Sequence, residues 1–588
     1  MKVEPDYKSI GDLFRDANVF RVPKYQRGYA WKDSQLEDFK DDLIFIHENG
    51  AYEHFFGSLV CAQAESIGGH EKINQLVDGQ QRLTTFVILI CCLIKKYEIL
   101  NQGENEYKEY IDEKVKELKE RYLVYKKSVN KKTEHIRRLE LSRRDDEFFI
   151  NKIKCIPVEA SRDSHKRLDA AFGFLTSFID DLTSHKSMSD SLDELDALEK
   201  TINEKCNIIH MVTDKVADAY KLFQVINDRG EQLNHTDLLR AKTLGITDDK
   251  DDELIFNQVE NIWDKLDEDY GSSLEKLLGY YYSSHTGDKV KGASFYDQCM
   301  DRIFSVDKKT SPQIVFDKMR DIKKSLEKAS LISQGEWPYT NSVLSSWQRT
   351  RLKFLIVHLK HTHCIPLLLA ATNLKERQFY EILRVLEIFF FRYKNVCGNK
   401  IDLATTRYYK SCREISDGKF TVQGFKSSLR ELVHKHASDE VFKSRIDELD
   451  YSKSKVSLRY LLLGLEDSWL WYKSGMKEGV KGREGVFDYS LIFDFSSATV
   501  EHIYPQCPDV KDVNLEPLLN KLGNLTILGP KHNEELGNLP YSEKVKIYVS
   551  DTKLKINKEF ENYPVWNKES LLERREELMN AACCIFNF

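Results

Sequence analysis

The chain lacks the sequence features that mark several large protein classes. No stretch reaches the roughly 20 apolar residues of a membrane span, and the longest candidate, Phe86 to Ile94, instead predicts a buried helix. The N-terminus, MKVEPDYKSIGDLF, carries acidic residues and no apolar segment, so we expect no secretory signal. The twelve cysteines include no C-x-x-C pair. Scattered cysteines in a charged chain are typical of the reducing cytoplasm, where we expect this protein.

An excess of one charge is also missing. The formal net charge is −6 over 588 residues, which argues against a protein that coats nucleic acid by bulk charge, so any DNA contact must come from local basic patches. With 41% hydrophobic and 31% charged residues, the composition indicates a soluble globular protein. The length exceeds one compact core and predicts two to four domains.

The residue pattern changes along the chain. Residues 55–63 and 73–79 predict two strands, followed by a tight turn and a helix near Gln81, a geometry suited to anion binding. Residues 104–147 and 165–245 have helical spacing, and residues 250–480 look almost wholly helical. Strand-like runs return before residue 530, and a helix follows from about Lys531. The predicted fold class is therefore α+β and predominantly helical.

Three C-terminal segments carry residues suited to phosphodiester hydrolysis: Val500-Glu-His-Ile-Tyr-Pro-Gln506, Leu522-Gly-Asn-Leu-Thr-Ile-Leu528 and Lys531-His-Asn-Glu534. The imidazole of His502 titrates near neutral pH and suits a general base. Glu501 and Asn533 offer hard oxygen ligands for Mg²⁺ or a similar ion. Asn524 can tie the loop to the second strand and orient the histidine.

These segments resemble the HNH, or His-metal finger, nuclease family. The resemblance implies that His502 is the general base, Asn524 the structural asparagine, and Glu501 and Asn533 the metal ligands. It implies a ββα fold for this segment and a divalent cofactor, Mg²⁺ or Mn²⁺. His532 is adjacent to Asn533, but the two point about 100° apart on a helix, so only one can face the metal, and Asn533 is preferred.

A second set of motifs lies near the N-terminus. Phe20-Arg-Val-Pro-Lys-Tyr-Gln-Arg-Gly-Tyr-Ala-Trp31 interleaves aromatic and basic residues, which suits base stacking combined with phosphate contact. Phe56-Gly-Ser58 and Val77-Asp-Gly-Gln-Gln-Arg-Leu-Thr-Thr85 follow. Arg82 offers a planar fork for phosphate.

In this order the motifs resemble the ParB/sulfiredoxin-like domain of GmrSD-type restriction endonucleases. Ile226-Asn-Asp-Arg-Gly-Glu-Gln-Leu233, Asp237-Leu-Leu-Arg-Ala-Lys242 and the tail Leu536-Gly-Asn-Leu-Pro-Tyr-Ser-Glu-Lys544 resemble later parts of that family. The resemblance implies that this domain binds or hydrolyses a nucleoside triphosphate, or senses the DNA modification. The chain has no G-x(4)-G-K-[ST] loop, so any nucleotide handling must use another pocket. The implied pocket residues are Tyr25, Gln26, Arg27, Asp78, Gln80, Gln81, Arg82, Asn227 and Arg229.

The resemblance implies four segments and a function. Residues 1–100 would form the sensing domain, 101–250 its helical extension, 251–485 a helical coupling domain and 486–588 the nuclease. The expected function is an anti-phage DNA endonuclease of the type IV, modification-dependent kind. Nucleotide binding or the sensing of modified phage DNA would gate its cleavage. Double-strand cutting by one nuclease site per chain would favour a homodimer, or two successive nicks.

Two alternatives use the same motifs. The chain could be a DNA-binding regulatory protein with an inactive nuclease fold, in which case it would not cut DNA in the presence of Mg²⁺ or Mn²⁺. It could also be an NTPase whose main output is signalling, which would release phosphate from nucleotide even without DNA.

Overall fold

A computed structural model describes residues 3–15, 17–23, 26, 28–50, 52–64, 72–103, 106–129, 132–214, 219, 222, 235–247, 253–305, 310–477 and 498–587. The chain forms two compact units. Unit 1 comprises residues 1–263 and 311–315, and unit 2 comprises residues 264–310 and 316–588. The predicted boundary between residues 485 and 486 lies outside the described residues.

Unit 1 is built on a mixed β-sheet. Its strands are β1 (Val3–Ser9), β2 (Asn18–Arg21), β3 (His54–Ala64), β4 (Lys72–Asp78), β5 (Val124–Val129), β6 (Lys132–Arg137), β7 (Leu139–Glu140) and β8 (Cys206–Thr213). Within the described residues, six of them pair in the order β1-β8-β3-β4-β2-β7, while β5 and β6 form a separate hairpin. The β1–β8 and β3–β4 pairs are antiparallel, and β3–β8, β2–β4 and β2–β7 are parallel.

Helices surround this sheet. They are α1 (Ile10–Arg15), α2 (Asp33–Glu48), α3 (Gln80–Leu100), α4 (Lys108–Leu118), α5 (Arg143–Ile153), α6 (Asp163–Leu182), α7 (Met188–Glu204) and α8 (His235–Thr247). The middle of helix α3 is apolar on all sides, as an enclosed helical segment must be, and Leu83 to Ile90 are all buried. It packs against α6. The predicted buried helix at Phe86 to Ile94 is thereby confirmed.

Two stretches predicted as helical contain strands instead. Residues 124–129 and 132–137 form the β5–β6 hairpin, although the many lysines of this stretch resemble an exposed helix. Residues 206–213 form β8, which lies between β1 and β3 in the sheet. Strand β8 is mostly buried along its whole length, so its apolar run lacks the alternation that would distinguish a strand from a buried helix.

Unit 2 is largely helical, as the sequence predicts for residues 250–480. The helices are α9 (Glu253–Tyr270), α10 (Leu274–Thr286), α11 (Phe295–Arg302), α12 (Pro312–Gln334), α13 (Ser346–Lys353), α14 (Ile365–Ala371), α15 (Glu376–Phe390), α16 (Asp402–Ser416), α17 (Val422–His436), α18 (Asp439–Glu448), α19 (Tyr451–Lys473), α20 (Pro530–Leu536), α21 (Tyr541–Ser550), α22 (Lys555–Lys558) and α23 (Lys568–Ile585). The chain changes unit within α9 and within α12. The strands are β9 (Thr499–His502) and β10 (Leu525–Leu528). Together the two units confirm the α+β, predominantly helical fold class.

Helix α19 packs against α23 and β10 and carries a buried carboxyl group, Glu466. Glu466 accepts hydrogen bonds from the backbone N–H groups of Lys555 (2.7 Å) and Ile556 (2.9 Å), at the start of α22. Burial raises the pKa of Glu466 to about 7, although the two N–H groups oppose the shift. The folded protein therefore binds this proton more tightly than the unfolded chain does.

This raised pKa makes the stability of unit 2 depend on pH. The contribution of Glu466 is fully present below its unfolded pKa of 4.5 and is lost as pH rises through about 7. Relative to Glu466→Gln, which stays neutral, we expect the wild-type free energy of unfolding to fall by about 3 kcal/mol between pH 4.5 and 8. Urea unfolding at a series of pH values measures this difference. Glu573→Gln, at an exposed position of α23, should show no such trend, and a flat difference for Glu466→Gln would contradict the raised pKa.

All twelve cysteines are free thiols. Among the described helices none alone is long and apolar enough to cross a membrane; only the pair 346–358 and 362–371, bent by 120°, passes that test together.

Candidate nuclease site

The C-terminal motifs form a strand–loop–strand–helix arrangement. Strands β9 and β10 are antiparallel, with Leu525 opposite His502 and Thr526 opposite Glu501. Helix α20 follows β10 and contacts β9. The three segments that carry the motifs are therefore adjacent in space, in the predicted order of two strands and a helix.

Asn524 holds the long loop that joins the two strands. It is fully buried, and its Nδ2 donates hydrogen bonds to the carbonyl oxygens of Tyr504 (3.1 Å) and Leu519 (2.9 Å). Its Oδ1 accepts hydrogen bonds from the Tyr504 N–H (2.8 Å) and the Trp566 indole (3.2 Å). The amide thus uses its full hydrogen-bonding capacity, and both ends of the loop are attached to one side chain.

His502 lies at the end of β9 and is only 6% exposed. Its Nε2 is 3.1 Å from Oδ1 of Asn520 and 3.4 Å from the amide nitrogen of Gln506. The ring of Tyr451 meets the imidazole edge to face, with centroids 5.0 Å apart. Burial lowers the pKa of His502, with a smaller contribution from the nearby Lys544 ammonium, while the bond to Asn520 opposes the shift. The imidazole is therefore held neutral and able to accept a proton near neutral pH.

Glu501 lies on the opposite face of the hairpin from His502, because successive side chains of a strand alternate. Its Oε1 lies 2.5 Å from Nζ of Lys544 and 3.5 Å from the Tyr548 hydroxyl. Burial raises the pKa of Glu501, and the Lys544 ammonium opposes that shift. Lys544 is itself fully buried and also donates to the carbonyl oxygen of His502 at 2.8 Å.

Helix α20 presents its two candidate residues differently. Asn533 is half-exposed, and His532 is 9% exposed. No described group hydrogen-bonds Nδ1 of His532. Of the two, Asn533 is the one accessible from solvent, on a helix that contacts the His502 strand.

The candidate metal ligands differ in how well they suit a divalent ion. Asn533 fits, since an accessible amide oxygen is a hard ligand. The Glu501 carboxylate does not fit in this arrangement, because Lys544 holds it on the other face. In the part of the chain that the structure describes, no group of three or more His, Cys, Asp or Glu side chains could hold a metal ion.

The N-terminal motifs also meet in space, around the turn between β4 and α3. Gly79 forms this turn with φ +84°, and a Cβ there would lie 2.3 Å from a methyl carbon of Leu59. The Arg82 guanidinium donates to the carbonyl oxygen of Ser58 at 2.6 Å and fills the space beside Gly57, where φ is +101°. Only glycine fits at positions 57 and 79. Because Arg82 of the D-G-Q-Q-R motif packs against Gly57 and bonds Ser58, that motif and the F-G-S motif depend on each other.

Gln81 joins the remaining motif to this turn. Its Oε1 accepts from the Ala30 N–H at 2.7 Å, and its Nε2 donates to the Gly28 carbonyl at 3.2 Å. Gln26 donates to the Val77 carbonyl at 3.2 Å. Asp78 and Gln80 are half-buried at the same turn. The described pocket residues are thus brought together, while Tyr25, Arg27, Asn227 and Arg229 lie outside the described residues.

Three residues around His502 were not singled out from the sequence: Asn520, Tyr451 and Lys544. The burial of Lys544 could have been predicted, because it lies at helical spacing between Tyr541 and the buried Tyr548. A charged residue within an apolar helix face indicates a buried ion pair. Asn520 and Tyr451 had no signal in the sequence, since their position beside His502 results from long-range packing.

Comparison with known protein families matches the two parts of the chain that contain these clusters. Residues 10–244 match the N-terminal domain of the GmrSD restriction endonucleases, and residues 436–581 match their C-terminal domain. The chain belongs to the GmrSD restriction endonuclease family. No curated protein matches it. Family membership makes the chain a nuclease of phage defence with DNA as its substrate. The C-terminal match includes α19, which supplies Tyr451, together with the β9–β10 hairpin.

Proposed function

We propose that this GmrSD-family chain cuts DNA at the β9–β10 hairpin, which acts as an HNH-type nuclease site with His502 as the general base. The observation that carries the proposal is a buried, neutral imidazole held at the end of β9 beside a helix with an accessible Asn533. In the reaction, His502 takes a proton from water, the resulting hydroxide attacks phosphorus, and the P–O bond to the leaving oxygen breaks.

Dependence on a divalent metal, Mg²⁺ or Mn²⁺, is part of the proposal. When bound, such an ion would supply charge neutralisation at the phosphate. Asn533 is the ligand that the described arrangement favours. A ligand role for Glu501 would require its carboxylate to leave Lys544, and it stays a prediction of the HNH resemblance.

A direct experiment tests the nuclease proposal. The purified full chain is incubated with unmodified DNA and with modified phage DNA, with Mg²⁺, with Mn²⁺ and with a chelator, each with and without a nucleoside triphosphate. We expect cleavage only with metal, and more of it on modified DNA. Absence of cleavage under every condition would contradict the proposal, and phosphate release from nucleotide without DNA would favour the NTPase alternative.

We further propose that the turn between β4 and α3 is a nucleotide- or modification-sensing site that controls cleavage. An uncontrolled nuclease would attack host DNA, so a signal read elsewhere in the chain must license it. Gln81 and Arg82 already hold neighbouring backbone groups. Asp78 and Gln80 are half-buried at the same turn. The backbone N–H groups of the helix N-terminus suit an anionic ligand, and the Asp78 carboxylate can accept hydrogen bonds from the hydroxyl groups of such a ligand.

Asp78→Asn should separate sensing from catalysis. We expect nucleotide-dependent stimulation of DNA cleavage to fall about tenfold or more, the size of a lost charge-assisted contact, while the hairpin residues remain unchanged. Cleavage rates with and without nucleoside triphosphate measure this. Asp38→Asn, at an exposed position of α2, serves as the matched control. Cleavage by Asp78→Asn that responds to nucleotide like wild type would exclude the gating proposal.

The remaining parts of the proposal concern the cell and the assembly. Twelve free thiols suit a reducing cytoplasm. One hairpin per chain cuts one strand at a time, so double-strand breaks would require a homodimer or two successive nicks. Analytical ultracentrifugation, run alongside assays that distinguish nicks from breaks, separates these two routes.

A further inference from the structure

We infer that Asn520 is a positioning residue for His502, whose side-chain oxygen keeps the proton on Nε2 and leaves the lone pair of Nδ1 free to accept a proton from water. This inference rests on the proposed function, in which His502 is the general base. It adds the residue that orients the base and the ring nitrogen that acts.

The first argument is the chemistry of the contact at Nε2. A neutral imidazole carries one N–H and one lone pair. The contact at 3.1 Å is with Oδ1 of Asn520, an oxygen that can only accept, so Nε2 must carry the proton. No described residue hydrogen-bonds Nδ1. The amide nitrogen of Gln506 is a donor and would favour the opposite tautomer, but it reaches Nε2 only at 3.4 Å, a longer and weaker contact.

The second argument is that Asn520 is itself held in place. Asn524 bonds the carbonyl oxygen of the preceding residue, Leu519, at 2.9 Å. The N–H of Tyr451, at the start of α19, donates to the Asn520 carbonyl at 3.0 Å. The Tyr451 ring also meets the imidazole edge to face. The backbone that carries the orienting side chain is therefore held on both sides before substrate arrives, as preorganisation requires.

The test compares Asn520→Asp, which keeps an accepting oxygen, with Asn520→Leu, which has a similar shape and none. With DNA and saturating Mg²⁺, we expect Asn520→Leu to lower kcat about 10- to 100-fold with KM changed less than about threefold, the pattern of an interaction made in the reaction step. Asn520→Asp should stay within about threefold of wild-type kcat. Asn514→Leu, at an exposed position of the same loop, should cleave like wild type.

Equal losses in Asn520→Asp and Asn520→Leu, or wild-type kcat in Asn520→Leu, would overturn the inference. Should either variant fail to fold, ¹⁵N-histidine spectra of the wild-type chain decide, with His502→Ala identifying the signals. The expected tautomer has its proton on Nε2, and a proton on Nδ1 would overturn the assignment.

If His502→Ala cleaves normally, the proposed function itself fails; if it is inactive while Asn520→Leu is fully active, only the present inference fails.

Discussion

His502→Ala is expected to lower the rate of DNA cleavage by about 10²- to 10⁴-fold, the range that a positioned general base contributes. Burial keeps this imidazole neutral, and alanine leaves no group that could take the proton from water. Because His502 is held mainly by one amide contact and one aromatic contact, the fold should tolerate the change. Single-turnover cleavage at saturating enzyme and metal measures the chemical step, and circular dichroism checks the fold.

The matched control for this variant is His434→Ala, which removes an exposed imidazole near the end of α17. It should leave the rate within about twofold, since surface substitutions away from a site have small effects. A His502→Ala chain that folds normally and cuts at the wild-type rate would show that the hairpin is not part of the catalytic machinery.

Asn524→Ala is expected to produce the largest loss of stability, about 3–5 kcal/mol in unit 2. The substitution removes four hydrogen bonds and leaves buried partners unsatisfied, each at a cost of about 1–3 kcal/mol unless water enters. Arg574 holds the neighbouring carbonyl oxygens of Gly523 and Leu525, so part of the turn should survive. Urea unfolding followed by tryptophan fluorescence measures the change.

Asn514→Ala provides the comparison, because Asn514 is an exposed asparagine of the same loop. We expect it to shift the free energy of unfolding by less than about 0.5 kcal/mol. A similar small shift for Asn524→Ala would show that the loop is held by contacts other than this amide. A large loss of stability with full residual cleavage below the unfolding transition would limit Asn524 to a purely structural role.

The local elements near both sites were predictable from the sequence. Strands β3 and β4, the turn at Gly79, the start of α3 and the order of β9, β10 and α20 follow from turn residues and from short-range periodicity. Strand β8 and the β5–β6 hairpin were not predicted. An apolar run without alternation and a lysine-rich segment both resemble helix, and only pairing with distant strands makes them strands.

The side-chain partners within the nuclease site were less predictable. Alternation along β9 already implies that Glu501 and His502 face opposite ways, although their motif suggests a shared site. That Glu501 meets Lys544, more than forty residues later, could not be predicted from β9. The contact of Tyr451 with His502 crosses fifty-one residues, and no local pattern encodes it.

The amino-acid sequence by itself determined which chemical groups are present, which local elements they occupy and which family the chain belongs to. Only the tertiary structure decided three contacts. Asn520 orients His502, Asn524 holds both ends of the loop, and Lys544 pairs with the Glu501 carboxylate. The physical reason is that these contacts join residues far apart along the chain. Their geometry depends on how whole helices and strands pack, whereas composition and periodicity report only each segment's own preference.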